Sequence, residues 1–437
     1  MGHSTPIDGG FVDVAWLSRT FLDLAEEHRV PGAQLAVHHS GVTTTVEHGE
    51  ELYGSGRPVG TKSSFPFGSV TKPFTATLVA QLAGEGELDL DAPIGVHLPE
   101  LAGMRATPRH LLGHTGGLVA EHRPAGAAPS PRSYVARCRD LVPLSPPGLR
   151  FSYSNVGYYL LGRLIEVVTG QDWPDAVTGL LLAPLGITPV FRCFPPGPTV
   201  GGHVVRAGRV QPVPGEFPVF RAPAGGLAGS AADLVRFGRV LLGEGPSFVL
   251  DAAGARLMRG EPTGAAPFGL ADGWGLGLAR FRHAGTDWFG HDGGSDGTTA
   301  HLRFDPANGI AVAVTTNSAD GTRLWEDLAA EARIGSYGTS APPGPPVPGP
   351  PGCAGEYRNG DNHYSVRPGG AGFRLDMGTA TALDMTFHEG LVFDAGRTAA
   401  GRPVYVGRFG RDSDGAIAVL EVAGRVARRI PDGEDPR

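Results

Sequence analysis

The stretch Phe67-Gly68-Ser69-Val70-Thr71-Lys72-Pro73 decides how the rest of this chain is interpreted. It places a serine and a lysine three residues apart, where an apolar helical pattern from Phe74 to Leu82 begins. Residues at i and i+3 share one face of a helix, so Ser69 and Lys72 are predicted to lie within hydrogen-bonding reach. A helix start also directs free backbone N–H groups and the positive end of the helix dipole at the serine. Such a position favours anionic intermediates and lowers the pKa of the lysine.

The lysine of this stretch is unusual because the chain contains only Lys62 and Lys72 among its 37 lysines and arginines. Arginine keeps its proton in proteins, whereas a desolvated lysine can release it. A serine hydroxyl is a poor nucleophile until a base takes its proton. The pattern therefore predicts that Lys72 is the base for Ser69, although the four-residue motif alone also fits a capping serine beside a surface lysine.

A second motif, Tyr153-Ser154-Asn155, follows a Pro-Pro-Gly turn and precedes a helical pattern that ends at Gly170. A tyrosine next to a lysine can pass protons as phenol or phenolate. Asn155 offers a donor and an acceptor to a substrate amide. Taken alone, the tripeptide is better explained as an ordinary helix cap with Tyr153 in the core.

A third motif, His291-Asp292-Gly293-Gly294, ends an apolar strand pattern. Small residues at such a place let a substrate backbone lie against the strand edge. The N–H groups of Ser69 and Gly294 are predicted to form an oxyanion hole. His291 is predicted to orient Tyr153 or to meet a substrate carboxylate, although a glycine-rich turn with an exposed histidine would give the same letters.

The order Ser-x-x-Lys, Tyr-x-Asn, His-x-Gly resembles the serine acyl-enzymes related to class C β-lactamases. That superfamily also holds D-alanyl-D-alanine carboxypeptidases, D-aminopeptidases, esterases and penicillin-binding-protein-type thioesterases. The resemblance covers about 30–335. Further phrases that look like the family are Pro31-Gly32-Ala33, Arg109-His110-Leu111-Leu112-Gly113-His114-Thr115-Gly116-Gly117, Tyr153-Ser154-Asn155-Val156-Gly157-Tyr158 and Ala224-Gly225-Gly226-Leu227.

The resemblance implies which residues form the site. It assigns catalytic roles to Ser69, Lys72, Tyr153 and His291, with the role of principal base shared between Lys72 and Tyr153. It also implies that no cofactor is needed. The substrate is expected to contact Asn155, Gly293, Gly294 and Ser295. One departure matters, because the third motif begins with histidine where β-lactamases and most cell-wall enzymes have lysine. This favours the esterase, D-peptidase and acyltransferase branches.

The fold is predicted to be α/β, with a β-lactamase-like catalytic domain at 1–336 and an all-helical insertion at about 66–224. A Pro-rich linker at 337–352 marks the clearest domain boundary in the chain. Short alternating segments at 353–437 predict a small antiparallel, lipocalin-like β-barrel in which no catalytic constellation is visible. The site is expected in the cleft between the α/β part and the insertion.

Composition and charge exclude several classes of function. A net charge of −7 with scattered arginines gives no basic patch for nucleic acid or for an anionic membrane. The cysteines, Cys138, Cys193 and Cys353, fit neither a disulfide framework nor a metal site. The histidines lack a third ligand at a usable spacing, so no metal is predicted. The N-terminus has no apolar segment of the kind that export signals carry, which favours a cytoplasmic location.

Two other motifs are weighed and set aside. Gly293-Gly294-Ser295-Asp296-Gly297 matches the G-x-S-x-G elbow, which requires a strand followed by a helix. The segment after it, Thr298 to Leu302, has a strand pattern, so Ser295 is not predicted to be the nucleophile. His114 is predicted to be structural.

The function predicted from these observations is acyl transfer or hydrolysis through a serine ester. Its substrate is expected to be an ester, thioester or amide of a small or peptidic molecule, either free or carrier-bound, and its acceptor is expected to be water or an amine. Acyl transfer or peptide cyclisation in secondary metabolism is the first hypothesis. The alternatives are an intracellular esterase or D-peptidase, a β-lactamase or D-alanyl-D-alanine carboxypeptidase, and an inactive penicillin-recognising sensor. The linker and barrel are candidates for covering the cleft.

Overall fold

The structure is a computed structural model that describes residues 7–8, 11–123, 130–193, 199–206, 209–213, 217–260, 265–336, 344–370, 372–378, 381–397 and 403–431. Of the predicted linker, 337–343 lies outside the described residues. The α-helices are α1 (Val14–Glu27), α2 (Thr71–Gly84), α3 (Pro108–Leu112), α4 (Pro131–Arg137), α5 (Asn155–Thr169), α6 (Trp173–Val177), α7 (Ala222–Gly225), α8 (Ala231–Leu242), α9 (Ala252–Arg259) and α10 (Gly321–Ala332). Short 3₁₀ turns span Gly68–Val70, Ile94–Val96, Pro99–Leu101, Cys138–Asp140, Val219–Arg221 and Glu389–Leu391, and a π-turn spans Thr178–Leu182.

The strands divide between the catalytic region and a C-terminal barrel. Those of the first region are β1 (Ile7–Asp8), β2 (Phe11–Val12), β3 (Gly32–His39), β4 (Val42–Gly49), β5 (Phe65–Pro66), β6 (Val190–Phe191), β7 (His203–Arg206), β8 (Arg209–Pro212), β9 (Leu227–Gly229), β10 (Gly273–Trp274), β11 (Ala279–His283), β12 (Thr286–Ser295), β13 (Thr298–Asp305) and β14 (Ile310–Thr316). Those of the barrel are β15 (Gly355–Asn359), β16 (Asn362–Gly369), β17 (Gly372–Asp376), β18 (Leu383–His388), β19 (Val392–Arg397), β20 (Pro403–Arg411), β21 (Ile417–Val422) and β22 (Arg425–Arg429).

A seven-stranded antiparallel sheet in the order β10-β11-β12-β13-β14-β3-β4 forms the centre of the catalytic region. Successive side chains of each strand point to opposite faces of the sheet, so each strand contributes side chains to two hydrophobic cores. Leu35 and Val37 belong to the core that holds α1 and α10, whereas Ala36 belongs to the core that holds α8. Small residues on the second face let α8 approach closely, since a Cβ on Gly238 would lie 3.3 Å from Ala311.

Helix α2 is buried along most of its length between the sheet and the insertion. Its Phe74 stacks on Phe237 of α8 with ring centroids 3.8 Å apart. A helix that is apolar on all sides is typical of a core position. The predicted nucleophile, Ser69, therefore lies directly before a helix that is buried in the core.

The insertion between β4 and α8 is mainly helical, as predicted, but it also contains strands. β5, β9 and β6 form a small three-stranded sheet, and β7 pairs with β8. The prediction of an all-helical insertion misses them because two- to four-residue strands are too short to show a period. α5 begins after the N-cap Ser154 and ends at Gly170, which has the left-handed conformation favoured by glycine at helix ends.

The C-terminal strands form a closed antiparallel barrel in which each strand pairs with the next and β15 pairs with β22. This confirms the predicted barrel. The backbone N–H of Val347, in the described part of the linker, donates to the carbonyl of Phe387 at 2.8 Å. The described part of the linker thus packs on the barrel. The catalytic region also contacts the barrel directly, since the N–H of Tyr153 donates to the carbonyl of Gly424. The domain limits at 336 and 353 stay predictions.

Candidate active site

Ser69 lies half-buried in the 3₁₀ turn Gly68–Val70, which runs directly into α2. The turn is anchored by the N–H of Phe67, which donates to the carbonyl of Leu227 at 2.9 Å. Lys72, in the first turn of α2, places its Nζ 2.9 Å from Ser69 Oγ. The predicted pair is therefore within hydrogen-bonding distance, and its catalytic role stays a prediction.

Lys72 is fully buried. Burial lowers its pKa from 10.5 to about 7, the negative charge of Glu121 opposes this shift, and the positive charge of Arg425 adds to it. Its Nζ also donates to the carbonyl of Ala224 at 3.0 Å, which fixes the amine beside the serine. A substantial fraction of Lys72 is thus neutral near pH 7 and able to accept a proton.

Tyr153 precedes α5 and lies beside this pair. Lys72 Nζ is 5.0 Å from the centre of its ring. Burial raises the pKa of Tyr153, while a hydrogen bond with Ser69 and the charge of Arg425 oppose the rise. Tyr153 is therefore a protonated phenol at neutral pH, so Lys72 is better suited than Tyr153 to take the first proton from Ser69.

Two glycines let β12 pass close to the turn that carries Ser69. Gly68 has φ +51°, and a Cβ there would lie 2.9 Å from the backbone N of Gly294. A Cβ on Gly293 would lie 2.1 Å from the carbonyl oxygen of Phe67. Side chains at either position would push the strand away. The close approach brings the predicted oxyanion donors, Ser69 and Gly294, to the same cleft.

His291 is buried, and its ring centre lies 6.0 Å from that of Tyr153. Burial lowers its pKa to about 3, so the ring is neutral at physiological pH. Its Nδ1 lies 2.6 Å from the carbonyl of Asp292, and its Nε2 has no hydrogen-bond partner among the described residues. A neutral imidazole does not supply the positive charge that a lysine would bring to this strand.

The neighbouring Asp292 faces away from Ser69 and anchors β12 from behind. Its carboxylate accepts hydrogen bonds from Arg303 Nη2 and His301 Nδ1, each at 2.7 Å. Desolvation alone would raise the pKa of Asp292, but Arg303 and His301 hold it below its usual value. The guanidinium of Arg303 lies 3.9 Å from the ring centre of Phe281. This ion group fixes the strand that presents Gly293 and Gly294.

Asn155 lies at the first turn of α5 and donates through Nδ2 to Glu121 Oε1. Glu121 also accepts from the hydroxyl of Tyr159 at 3.2 Å. No pattern in the sequence indicates Glu121, because a glutamate in a loop has no motif of its own. Together with Ser69, Asn155, Arg221, Gly294 and Ser295 it lines a cleft of about 160 Å³.

Arg425 is a second residue that the sequence did not indicate. It comes from β22 of the barrel, and its guanidinium lies 5.1 Å from the ring centre of Tyr153. The preceding Gly424 accepts the backbone N–H of Tyr153 at 2.8 Å. No catalytic motif was visible in the barrel sequence, and it is tertiary packing that brings this turn of the barrel to Tyr153.

The remaining predicted residues have clear positions. Ser295 Oγ accepts a hydrogen bond from Arg192 Nη1 at 2.6 Å. It ends β12, and the next element is β13, so the absence of an elbow helix is confirmed. His114 is buried, accepts the N–H of Ser154 through Nδ1 at 3.1 Å, and packs 4.2 Å from Tyr153 between ring centres. This placement agrees with the predicted structural role.

Across the described ranges, no three His, Cys, Asp or Glu side chains are grouped so that they could hold a metal ion. No helix in the same ranges is long and apolar enough to cross a bilayer. Cys138, Cys193 and Cys353 are free thiols.

A helix-borne serine next to a buried lysine, with a tyrosine and a glycine-rich strand edge beside them, defines the class of serine acyl-enzymes. The beta-lactamase family matches residues 17–336, so the chain belongs to that family of serine hydrolases. It is 36% identical over 358 residues to penicillin-binding protein 4 of Amycolatopsis lactamdurans, covering 76% of this chain and 94% of that protein.

Among solved structures, the fold is similar to that of SurE. The TM-score is 0.83 with 40% sequence identity, and the match covers 95% of this chain and 98% of SurE. A structure of SurE with D-Leu gives a TM-score of 0.78 at 37% identity and covers 95% and 99% of the two chains. The similarity therefore includes the barrel as well as the catalytic region.

The pKa of Lys72 makes a testable prediction about pH. For a neutral ester, kcat/KM should rise about tenfold per pH unit up to about pH 7 and then level off, because deprotonation of Lys72 creates the base. Arg425→Gln should move this rise in kcat/KM to higher pH, because removing a positive charge raises the pKa of Lys72. Glu121→Gln should move it to lower pH. Rate profiles from pH 5 to 9 measure both.

Shifts of the same sign in the two variants would contradict this assignment. Neither His291 nor His114 can cause the titration near pH 7, since burial holds the pKa of His291 at about 3 and that of His114 well below its usual value.

Proposed function

We propose that the protein transfers the acyl group of an ester, thioester or amide to Ser69 and then to an amine, as in peptide ligation or cyclisation. The observation that supports the first half of this reaction, the acylation of Ser69, is the buried Lys72 amine 2.9 Å from Ser69 Oγ, with a pKa of about 7. Neutral Lys72 accepts the serine proton as Oγ attacks the carbonyl. The N–H groups of Ser69 and Gly294 stabilise the resulting oxyanion.

Tyr153 completes the cycle in this proposal. Its protonated phenol donates to the leaving group, and Lys72 then passes its proton on to restore the phenol. In the second half, the same groups take a proton from the incoming amine as it attacks the serine ester. The bond between the acyl carbon and Ser69 Oγ then breaks, and the proton returns to Oγ. Every step moves one proton between Ser69, Lys72, Tyr153 and the substrate, so no cofactor is required.

The placement of the barrel supports an amine rather than water as the acceptor. Gly424 and Arg425 pack directly on Tyr153, the residue that in this proposal protonates the leaving group and receives the proton of the acceptor. A site that holds an acyl-enzyme for an amine must restrict water. Among the similar proteins, SurE has been solved with D-Leu, which favours a donor or acceptor that contains a D-amino acid.

The second candidate function is plain hydrolysis of an ester or D-peptide. The observation that favours it is the small open cleft of about 160 Å³ beside Ser69, which is accessible to small esters. The proposed donor is small or peptidic and either free or carrier-bound, and neither nucleic acid nor membrane is part of the proposal.

Partitioning between amine and water distinguishes the two functions. With an activated ester, we expect Ser69 to be acylated faster than the acyl-enzyme hydrolyses, and a suitable amine to accelerate release. Arg425→Ala should increase hydrolysis relative to aminolysis by about threefold to tenfold, because truncation opens the Tyr153 side to water. Chromatography of acid and amide products measures the ratio across a panel of amines that includes D- and L-amino acid amides.

Arg367→Ala is the matched control, since Arg367 is an exposed barrel arginine paired with Glu356. A point substitution is preferable to removal of the barrel, because the N–H of Ala120 would lose its 2.7 Å bond to Asn359. Acid as the sole product at every amine concentration would establish the plain hydrolase.

A further inference from the structure

The carboxylate of Glu121 is a negative charge on the cleft wall beside the nucleophile. It shares this cleft with Ser69 and the strand edge at Gly294. Its hydrogen-bond donors are the amide of Asn155 and the hydroxyl of Tyr159, both of which are neutral. Within the described ranges, no lysine, arginine or histidine forms an ion pair with it. A carboxylate held in place by neutral donors has capacity left for a cation.

Asn155 adds a second acceptor next to Glu121. Its Nδ2 is committed to Glu121, so its Oδ1 is turned elsewhere, and that oxygen has no hydrogen-bond partner in the described part of the chain. A buried acceptor without a partner is costly unless a ligand supplies a donor. The two side chains therefore offer oxygen acceptors and require N–H donors.

We infer that Glu121 and Asn155 bind an ammonium group on the acyl part of the substrate. An ammonium carries a positive charge and three N–H donors, which match a carboxylate and an amide oxygen. The acyl side is indicated because Tyr153, which in the proposed function serves the leaving group and the acceptor, is not among the residues that line this cleft. An acceptor amine is also a poor fit, since a carboxylate would keep it protonated and unable to attack. The inference rests on the acyl-enzyme chemistry proposed above.

The size of the cleft limits the distance between this ammonium group and the carbonyl that Ser69 attacks. Glu121 and Ser69 line one small cleft of about 160 Å³. The charged nitrogen must therefore lie a few atoms from the carbonyl that Ser69 attacks. It is either the α-amino group of an aminoacyl donor or a short amino side chain on the last residue of a peptidyl donor.

Arg221 lines the same cleft, and its positive charge favours an anionic donor instead of a cationic one. Its guanidinium lies 5.6 Å from the ring centre of Phe220, and its Nε has no partner among the described residues. Glu121 is favoured as the charge that selects the donor because its negative charge acts on Lys72 beside Ser69. An anionic donor serves as the test of this choice.

The test compares the rate of Ser69 acylation by nitrophenyl esters that share one leaving group. The set is alanine, N-acetylalanine, propionate and succinate, with Nα-acetyl-diaminopropionate to separate a side-chain amine from an α-amine. We expect kcat/KM for alanine or diaminopropionate to exceed that of its neutral counterpart by about tenfold, the size expected for one charge-assisted hydrogen bond in a half-open cleft.

In Glu121→Gln the ratio of cationic to neutral donors should fall to about one, whatever the absolute rates are. The exposed Glu87 provides the control, and Glu87→Gln should keep the ratio of the unmodified protein. A ratio near one in the unmodified protein, the same ratio in Glu121→Gln, or a preference for succinate would each overturn the inference.

Equilibrium binding tests the inference without turnover. Alaninamide and propionamide differ only in the ammonium group, and their Kd values for the full-length protein can be compared by NMR titration. Alaninamide should bind about tenfold more tightly, and Glu121→Gln should remove the difference. Failure of every ester to acylate Ser69 would refute the proposed function, whereas equal binding of the two amides would refute the ammonium site.

Discussion

Ser69→Ala is expected to reduce ester turnover by about 10⁴-fold or more, because no acyl-enzyme can form without the hydroxyl. Ser69 is half-buried at the start of α2, and removal of one oxygen creates no large cavity there. The variant should therefore keep the melting temperature of the unmodified protein within a few degrees. Steady-state kinetics and thermal unfolding followed by circular dichroism measure the two quantities.

A serine-reactive phosphonate provides the positive control for the nucleophile. Mass spectrometry should find the adduct on Ser69 in the unmodified protein and no adduct in Ser69→Ala. Ser295 lies on the same cleft, so Ser295→Ala is the matched variant, and it should retain the adduct on Ser69. An adduct on Ser295 would show that the nucleophile is wrongly assigned.

Lys72→Arg is expected to lower the acylation rate by about 10³-fold even though the positive charge is kept, because arginine cannot act as a neutral base. The chain offers a matched control in its other lysine, since Lys62 is exposed and Lys62→Arg should have no such effect. Single-turnover release of nitrophenolate measures acylation directly.

The buried position of Lys72 requires a second variant that separates catalysis from folding. Lys72→Met keeps a similar volume and removes an amine whose charged form is destabilised by burial. It should fold and lose acylation to the same extent. Acylation by Lys72→Arg at the rate of the unmodified protein would show that the lysine serves only as a positive charge.

Local patterns in the chain were sufficient to predict the fold class and the central pair of the site. Ser69 and Lys72 are three residues apart at a helix start, so helix geometry alone puts them on one face. The second and third motifs had to be placed by resemblance to the family. The strand after Ser295 was also predictable, because its alternating pattern extends over enough residues to show a period of two.

The short strands of the insertion and the environment of the motifs were not predictable from the same patterns. β5, β6 and β9 are two or three residues long and exist because they pair with one another. The neutral state of His291 depends on burial by elements distant in the chain, since desolvation is the main cause of its low pKa. A histidine in a glycine-rich segment looks exposed when only the sequence is considered.

The sequence by itself determined the class of chemistry, because the predicted nucleophile, Ser69, and its predicted base, Lys72, belong to one helical turn and the order of the three motifs is a property of the chain. Only the tertiary structure showed that Glu121 lies on the cleft and that Arg425 covers Tyr153. At this contact the N–H of Val426 donates a hydrogen bond to Ser152 Oγ, and the two residues are 274 positions apart in the chain. Such contacts arise from the packing of whole domains, and no local period or spacing in the sequence encodes them. Helix geometry thus places Lys72 beside Ser69, and domain packing determines the charges that surround this pair.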